Sequence, residues 1–150
     1  MPEHLLHREY HHLFPDSLFQ ESAGLASSES YLALNCALVT WNTNRNISAK
    51  SPLKYLKERV EQAALGEPEV KSRLLSHLIP FDTLANAGFD GLEGGALAAA
   101  ITTRYDAFLA ERAELVAQYA GVLCAGSIPS PPYRDAINPN GDQPRGHPRN

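Results

Sequence analysis

Two adjacent histidines, His11 and His12, and two asparagines nine residues apart, Asn35 and Asn44, are the residues here best suited to hydrolytic chemistry. A neutral imidazole takes a proton from water near physiological pH. Nitrogen and oxygen donors, few in number, hold a hard divalent cation and leave positions open for water and a substrate oxygen. Breaking a phosphodiester needs both functions: an activated water, and a cation facing the charge on the phosphate and the leaving oxygen.

Charge supplies a third ingredient. The 150-residue chain has a formal net charge of −4, which by itself speaks against nucleic acid, but the charge is unevenly placed. Residues 44–59 hold five cations (Arg45, Lys50, Lys54, Lys57 and Arg59) against Glu58, a net +4. Residues 60–126 hold four cations against nine carboxylates, a net −5. A basic segment beside an acidic remainder is the pattern of a localised phosphate-facing patch. On that reading Arg45, Lys50 and Lys54 meet flanking phosphates; the plainer alternative is a solvated helix face.

The elements that must carry these residues are short. Tyr10-His11-His12-Leu13-Phe14-Pro15 reads as extended, since the proline disfavours helix at Phe14. Residues 16–30 read as an irregular loop or a short helix, and Leu34 to Thr40 as a strand. A helical turn is expected across Trp41 to Ile47, with Trp41 as a core anchor and Asn42 or Asn46 as alternative caps beside Asn44. Successive side chains of a regular strand face opposite ways. His11 and His12 therefore share one site only if the backbone bends there, or if a metal lies between their directions.

Helices follow. Ser51-Pro52 is a helix start, with serine at the N-cap and proline at the first helical position. Leu53, Leu56, Val60 and Ala64 mark one face, and Gly66 is the expected stop. A second helix is expected over Glu69–Leu78, with His77 packed or capping, and a loop over Gly88–Gly95. A long apolar stripe then runs through Leu97, Ile101, Tyr105, Phe108, Leu115, Val116, Tyr119 and Leu123, as core or partner interface. Residues 127–150 hold six prolines without apolar periodicity and read as an unstructured tail. The fold class expected is α+β, mainly α, with a small ββα element over about 8–50 and a helical region over 51–126.

Composition bounds the function classes. Hydrophobic residues at 43% and charged residues at 20% are ordinary for a globular domain. No apolar run approaches a membrane span and no signal-peptide pattern opens the chain, so a cytoplasmic protein is expected. Cys36 and Cys124 form no paired motif, and two buried free thiols are expected.

The runs His11-His12-Leu13-Phe14-Pro15, Asn35-Cys36-Ala37-Leu38-Val39-Thr40 and Asn42-Thr43-Asn44-Arg45-Asn46-Ile47-Ser48 resemble the motif of HNH (ββα-metal) nucleases. The resemblance is closest to the C-terminal nuclease region of modification-dependent restriction endonucleases of the GmrSD type, and extends through Ser51-Pro52-Leu53-Lys54-Tyr55-Leu56. Its second half is also similar to the HNH domain of CRISPR effector nucleases. The resemblance implies DNA cleavage with one divalent ion, Mg²⁺ first and Mn²⁺, Ni²⁺ or Zn²⁺ as alternatives. It implies His11 and Asn44 as metal ligands, His12 as general base, and Asn35 as the residue that orients the His12 side. His11 stands where many relatives have aspartate, which moves the donor set toward transition metals. Relatives also carry a large N-terminal nucleotide-dependent domain. No P-loop occurs here, so that part is expected as a separate domain or subunit, and this chain as a module of a restriction or defence protein. Two rivals stand beside this reading: a catalytically inactive HNH-like module that binds nucleic acid or a subunit, and a purely structural C-terminal domain.

Overall fold

The computed structural model describes residues 8–24, 26, 28, 30–40, 47 and 50–127. Asn44, Arg45, Trp41, the expected turn around them and the proline-rich tail beyond Ser127 lie outside the described residues. The fold is α+β and mainly α, as expected. Strand β1 (Arg8–His12) pairs antiparallel with β2 (Cys36–Thr40), placing His12 opposite Cys36, His11 opposite Ala37 and Tyr10 opposite Leu38. Between the strands lie helix α1 (Asp16–Ala23) and a 3-10 turn (Ala33–Asn35). After them come α2 (Pro52–Gln62), α3 (Glu67–Leu75), α4 (Phe81–Ala85) and α5 (Gly94–Cys124).

Local chemistry explains most of the boundaries. Pro15 starts α1, and Gly24, at φ 61°, stops it by donating its N–H to the carbonyl of Phe19. Ser51 and Pro52 open α2 as expected, although the serine side chain makes no capping hydrogen bond. The helix ends at Gln62, not at Gly66. Gly66 instead begins α3 in a backbone conformation (φ 66°, ψ −142°) that suits glycine, so its conformational freedom serves a start and not a stop. Pro68, Glu67 and Glu69 then suit the first turn of α3, by fixed φ and by charge respectively.

Helix α3 is shorter than the expected Glu69–Leu78 segment. It closes with Ile79 donating to the Leu74 carbonyl and Leu78 to the Leu75 carbonyl, at 3.0 and 2.9 Å. This is the Schellman pattern, in which glycine usually takes the left-handed position. Here Leu78 takes it, at φ 54°. Helix α4 falls in a stretch given no element from sequence; Pro80 precedes its first residue. His77 is exposed, with Nδ1 3.0 Å from the Arg73 carbonyl, a capping position.

The core joins the hairpin to α5. Phe14, completely buried, sets its ring 5.1 Å from that of Tyr105 and 5.4 Å from that of Phe108. Phe19 reaches Tyr105 from α1 at 4.9 Å. Burying one such ring stabilises the fold by about 2–3 kcal/mol. The α5 stripe is buried only through Ile101, Tyr105, Phe108 and Arg112. Beyond Arg112, Leu115 and Tyr119 are half-buried and Val116 and Leu123 exposed, so the second half of the stripe is not core. The expectation of buried thiols also fails: Cys36 is half-buried and Cys124 exposed, both free.

Candidate functional site

The hairpin carries the two histidines, and the connection between its strands is held by three side chains. Asn35, fully buried at the head of β2, is the hub. Its Oδ1 accepts the backbone N–H of Phe14 at 2.8 Å. Its Nδ2 donates to the carbonyls of Phe14 at 3.0 Å and Ser30 at 2.8 Å. Its own carbonyl accepts the N–H of Leu13 at 2.8 Å. One side chain thus pins both ends of the long β1–β2 connection, directly after His12. Asn35 fixes the backbone directly after β1, the strand that carries the histidines.

Two further residues hold the same loop, and sequence reasoning did not single them out. Tyr55, from α2, donates its hydroxyl to the Leu13 carbonyl at 2.9 Å, and burial raises that phenol well above its ordinary value. Arg112, from α5, donates Nη1 to the carbonyls of Leu34 at 2.6 Å and Cys36 at 3.0 Å, the two residues flanking Asn35. Its Nε donates to the carbonyl of Leu78 at 3.1 Å, which ties the left-handed turn after α3 to the hairpin. Burial lowers the guanidinium's pKa from its ordinary value. The signal for Arg112 was present: one cation on the apolar face that Ile101, Tyr105 and Phe108 define. A charge on such a face is costly unless hydrogen-bonded, and three carbonyls provide that here. Tyr55 gave less signal, since the stripe of its helix was read through Leu53, Leu56 and Val60.

The register of β1 is regular through His12, so the two histidines face opposite sides of the hairpin. His11 lies on the inner side, 6% exposed, with its ring 6.5 Å from that of Tyr55 in an edge-on arrangement. His12 lies on the outer side, half-buried, its ring 4.9 Å from that of Tyr31 and nearly perpendicular to it. The strand does not bend to bring them to one face. Among the described residues no group of three or more His, Cys, Asp or Glu side chains is placed to hold a metal ion. The donor set therefore fits a divalent ion in part: His11 offers an imidazole, while Asn44 lies outside the described residues.

The basic residues differ in availability. Lys50 forms an ion pair with Glu58 at 2.5 Å, which competes with a phosphate for the same ammonium. Lys54 is exposed on α2. Arg45 lies outside the described residues. No helix among the described residues is long and apolar enough to cross a membrane.

Compared with protein-family models, curated proteins and solved structures, the chain shows no match.

Proposed function

We propose that this chain is an HNH-type endonuclease module that hydrolyses DNA phosphodiester bonds, with His12 as the general base. The observation that carries the reading is the clamp on the loop after the histidine pair. A buried asparagine, a buried tyrosine and a buried arginine all spend hydrogen bonds on backbone within three residues of His12 or of its cross-strand partner Cys36. Such support is what a base needs, because proton transfer from water is sensitive to displacements of a few tenths of an ångström. The half-exposed His12 imidazole is open enough to meet a water and a phosphate.

On this proposal His11 and Asn44 hold one divalent ion, Mg²⁺ first among the candidates, and Lys50, Lys54 and Arg45 meet flanking phosphates. When bound, the ion supplies positive charge to the phosphate and the leaving oxygen. The residues of the chain do the rest: His12 takes the proton from water, Asn35 fixes the loop, and Lys54 offers an exposed cation to the DNA. The proposed setting is a cytoplasmic restriction or defence protein, with a nucleotide-dependent domain or subunit as partner.

The opposite facing of His11 and His12 favours a second reading, an HNH-like module that binds nucleic acid or a subunit without cutting. Plasmid cleavage by the wild type and by His12→Ala, with Mg²⁺, Mn²⁺ or EDTA, separates the two. Metal-dependent cutting lost in His12→Ala, with an unchanged circular dichroism spectrum, is the expected result. Salt-sensitive binding with no cutting by either protein selects the second reading.

A further inference from the structure

Behind the hairpin, α2 and α3 border a cavity of about 280 Å³ that the proposed nuclease chemistry does not use. Its floor is apolar and buried: Leu13 follows β1, Ala37 lies on β2, Leu56 comes from α2, Val70 from α3 and Ile79 from the turn after it. Tyr55 also lines the floor, but its hydroxyl is committed to the Leu13 carbonyl. Two arginines line the same cavity, and they differ. The side chain of Arg73 is 76% exposed and paired with Glu69. Arg59 is half-buried, and its Nη1 donates to the neutral Oε1 of Gln62, another lining residue, at 3.4 Å. The Nη2 of Arg59 is buried and has no hydrogen-bond partner among the described residues. A guanidinium drawn from water without a counter-charge is costly, and an anion at this cavity would offset that cost.

We infer that the cavity binds a small amphiphilic carboxylate, its head on the guanidinium of Arg59 and its apolar chain among Leu13, Leu56 and Ile79. The inference does not rest on the nuclease reading. Apolar walls with a few convergent polar groups are the ordinary make-up of a small-ligand site. The floor offers no spare donor or acceptor, since the Tyr55 hydroxyl is already used, so it suits a hydrocarbon chain. The planar fork of a guanidinium matches a carboxylate in two parallel hydrogen bonds. Size limits the ligand further: at about 30 Å³ for each water-sized group, the space takes roughly nine non-hydrogen atoms. That corresponds to a chain of about eight carbons. A free phosphate or acetate answers the charge of Arg59 but leaves the apolar walls unfilled.

The test is calorimetric titration of the full chain with sodium octanoate, sodium acetate and 1-octanol, with thermal melting followed by circular dichroism in each. Octanoate is expected to bind about tenfold more tightly than 1-octanol and to raise the melting temperature, while acetate does neither. In Arg59→Met octanoate should bind no more tightly than 1-octanol. Arg73→Met, which removes the arginine already paired with Glu69, should keep the wild-type affinity within about twofold. The comparison of the three ligands on wild type stands even where Arg59→Met lowers stability. Octanoate bound no better than 1-octanol by wild type, or as well by Arg59→Met as by wild type, overturns the inference. So does octanoate binding that appears only in Trp41→Ala, which assigns the cavity to a side chain of the protein itself.

Discussion

His11 and His12 are chemically the same and adjacent, yet the hairpin gives them opposite surroundings. The inner face, with His11, Ala37 and Leu13, is closed by α2 and by the Tyr55 ring. On the outer face Tyr10 and Leu38 are exposed, while the Tyr31 ring packs against His12. One backbone step separates a histidine built into the core from one presented to solvent. Adjacency on a regular strand therefore does not give two imidazoles the same surroundings. What unites the two is the loop that follows them, held by Asn35 from the 3-10 turn before β2, Tyr55 from α2 and Arg112 from α5.

Removing the hub breaks the comparison most severely. Asn35→Ala removes the side-chain partner of one N–H and two carbonyls in the interior and is expected to cost about 3–5 kcal/mol. That is a large part of a small domain's stability and would be read as a lower denaturant midpoint. Arg112→Met should follow, at about 2–4 kcal/mol, because three carbonyls lose their donor. Arg112→Lys should recover only part of it, since an ammonium does not reproduce the fork of the guanidinium.

The histidines themselves come next and sharpen the contrast between the faces. His11→Ala opens a void beside Tyr55 and should cost about 1–2 kcal/mol, whereas His12→Ala should cost less than about 1 kcal/mol. Equal losses in thermal or denaturant unfolding would contradict the assignment of one inner and one outer residue.

Tyr55→Phe is a comparably small change, about 1 kcal/mol at neutral pH for the lost bond to the Leu13 carbonyl. Burial raises the Tyr55 hydroxyl above its ordinary value of 10.0, so the folded protein keeps it protonated where the unfolded chain ionises it. Its contribution is thus intact below about pH 10 and is lost as pH rises beyond that. Stability measured from pH 8 to 11 should fall less steeply at the alkaline end in Tyr55→Phe than in wild type.

Much of this architecture was legible in the sequence, for identifiable reasons. The strand at His11-His12, the strand after Asn35, the Ser51-Pro52 helix start and the first half of the long stripe all rest on local signals that packing reinforced. The misreadings arose where tertiary context overrode a local signal. Gly66 looked like a stop because glycine commonly ends helices, but the chain had turned three residues earlier and used it to start α3. Leu78 carries no mark of a left-handed residue; Ile79 packs into the core and Arg112 donates to the Leu78 carbonyl. The stripe beyond Arg112 keeps helical spacing without full burial: Leu115 and Tyr119 are half-buried, and Val116 and Leu123 exposed. For the candidate site, sequence named His11, His12 and Asn35 but not the residues that fasten them. Tyr55 and Arg112 act from 42 and 76 to 78 positions away along the chain, where spacing has no say.

The most direct test sets His11→Ala beside His12→Ala in one cleavage assay, with the metal concentration varied and folding verified for both. His12→Ala is expected to lose about a hundredfold or more of the wild-type rate at every metal concentration, as a missing general base requires. His11→Ala is expected to regain much of its rate as the metal is raised. Loss of cutting in His11→Ala alone, with His12→Ala as active as wild type, would contradict these roles.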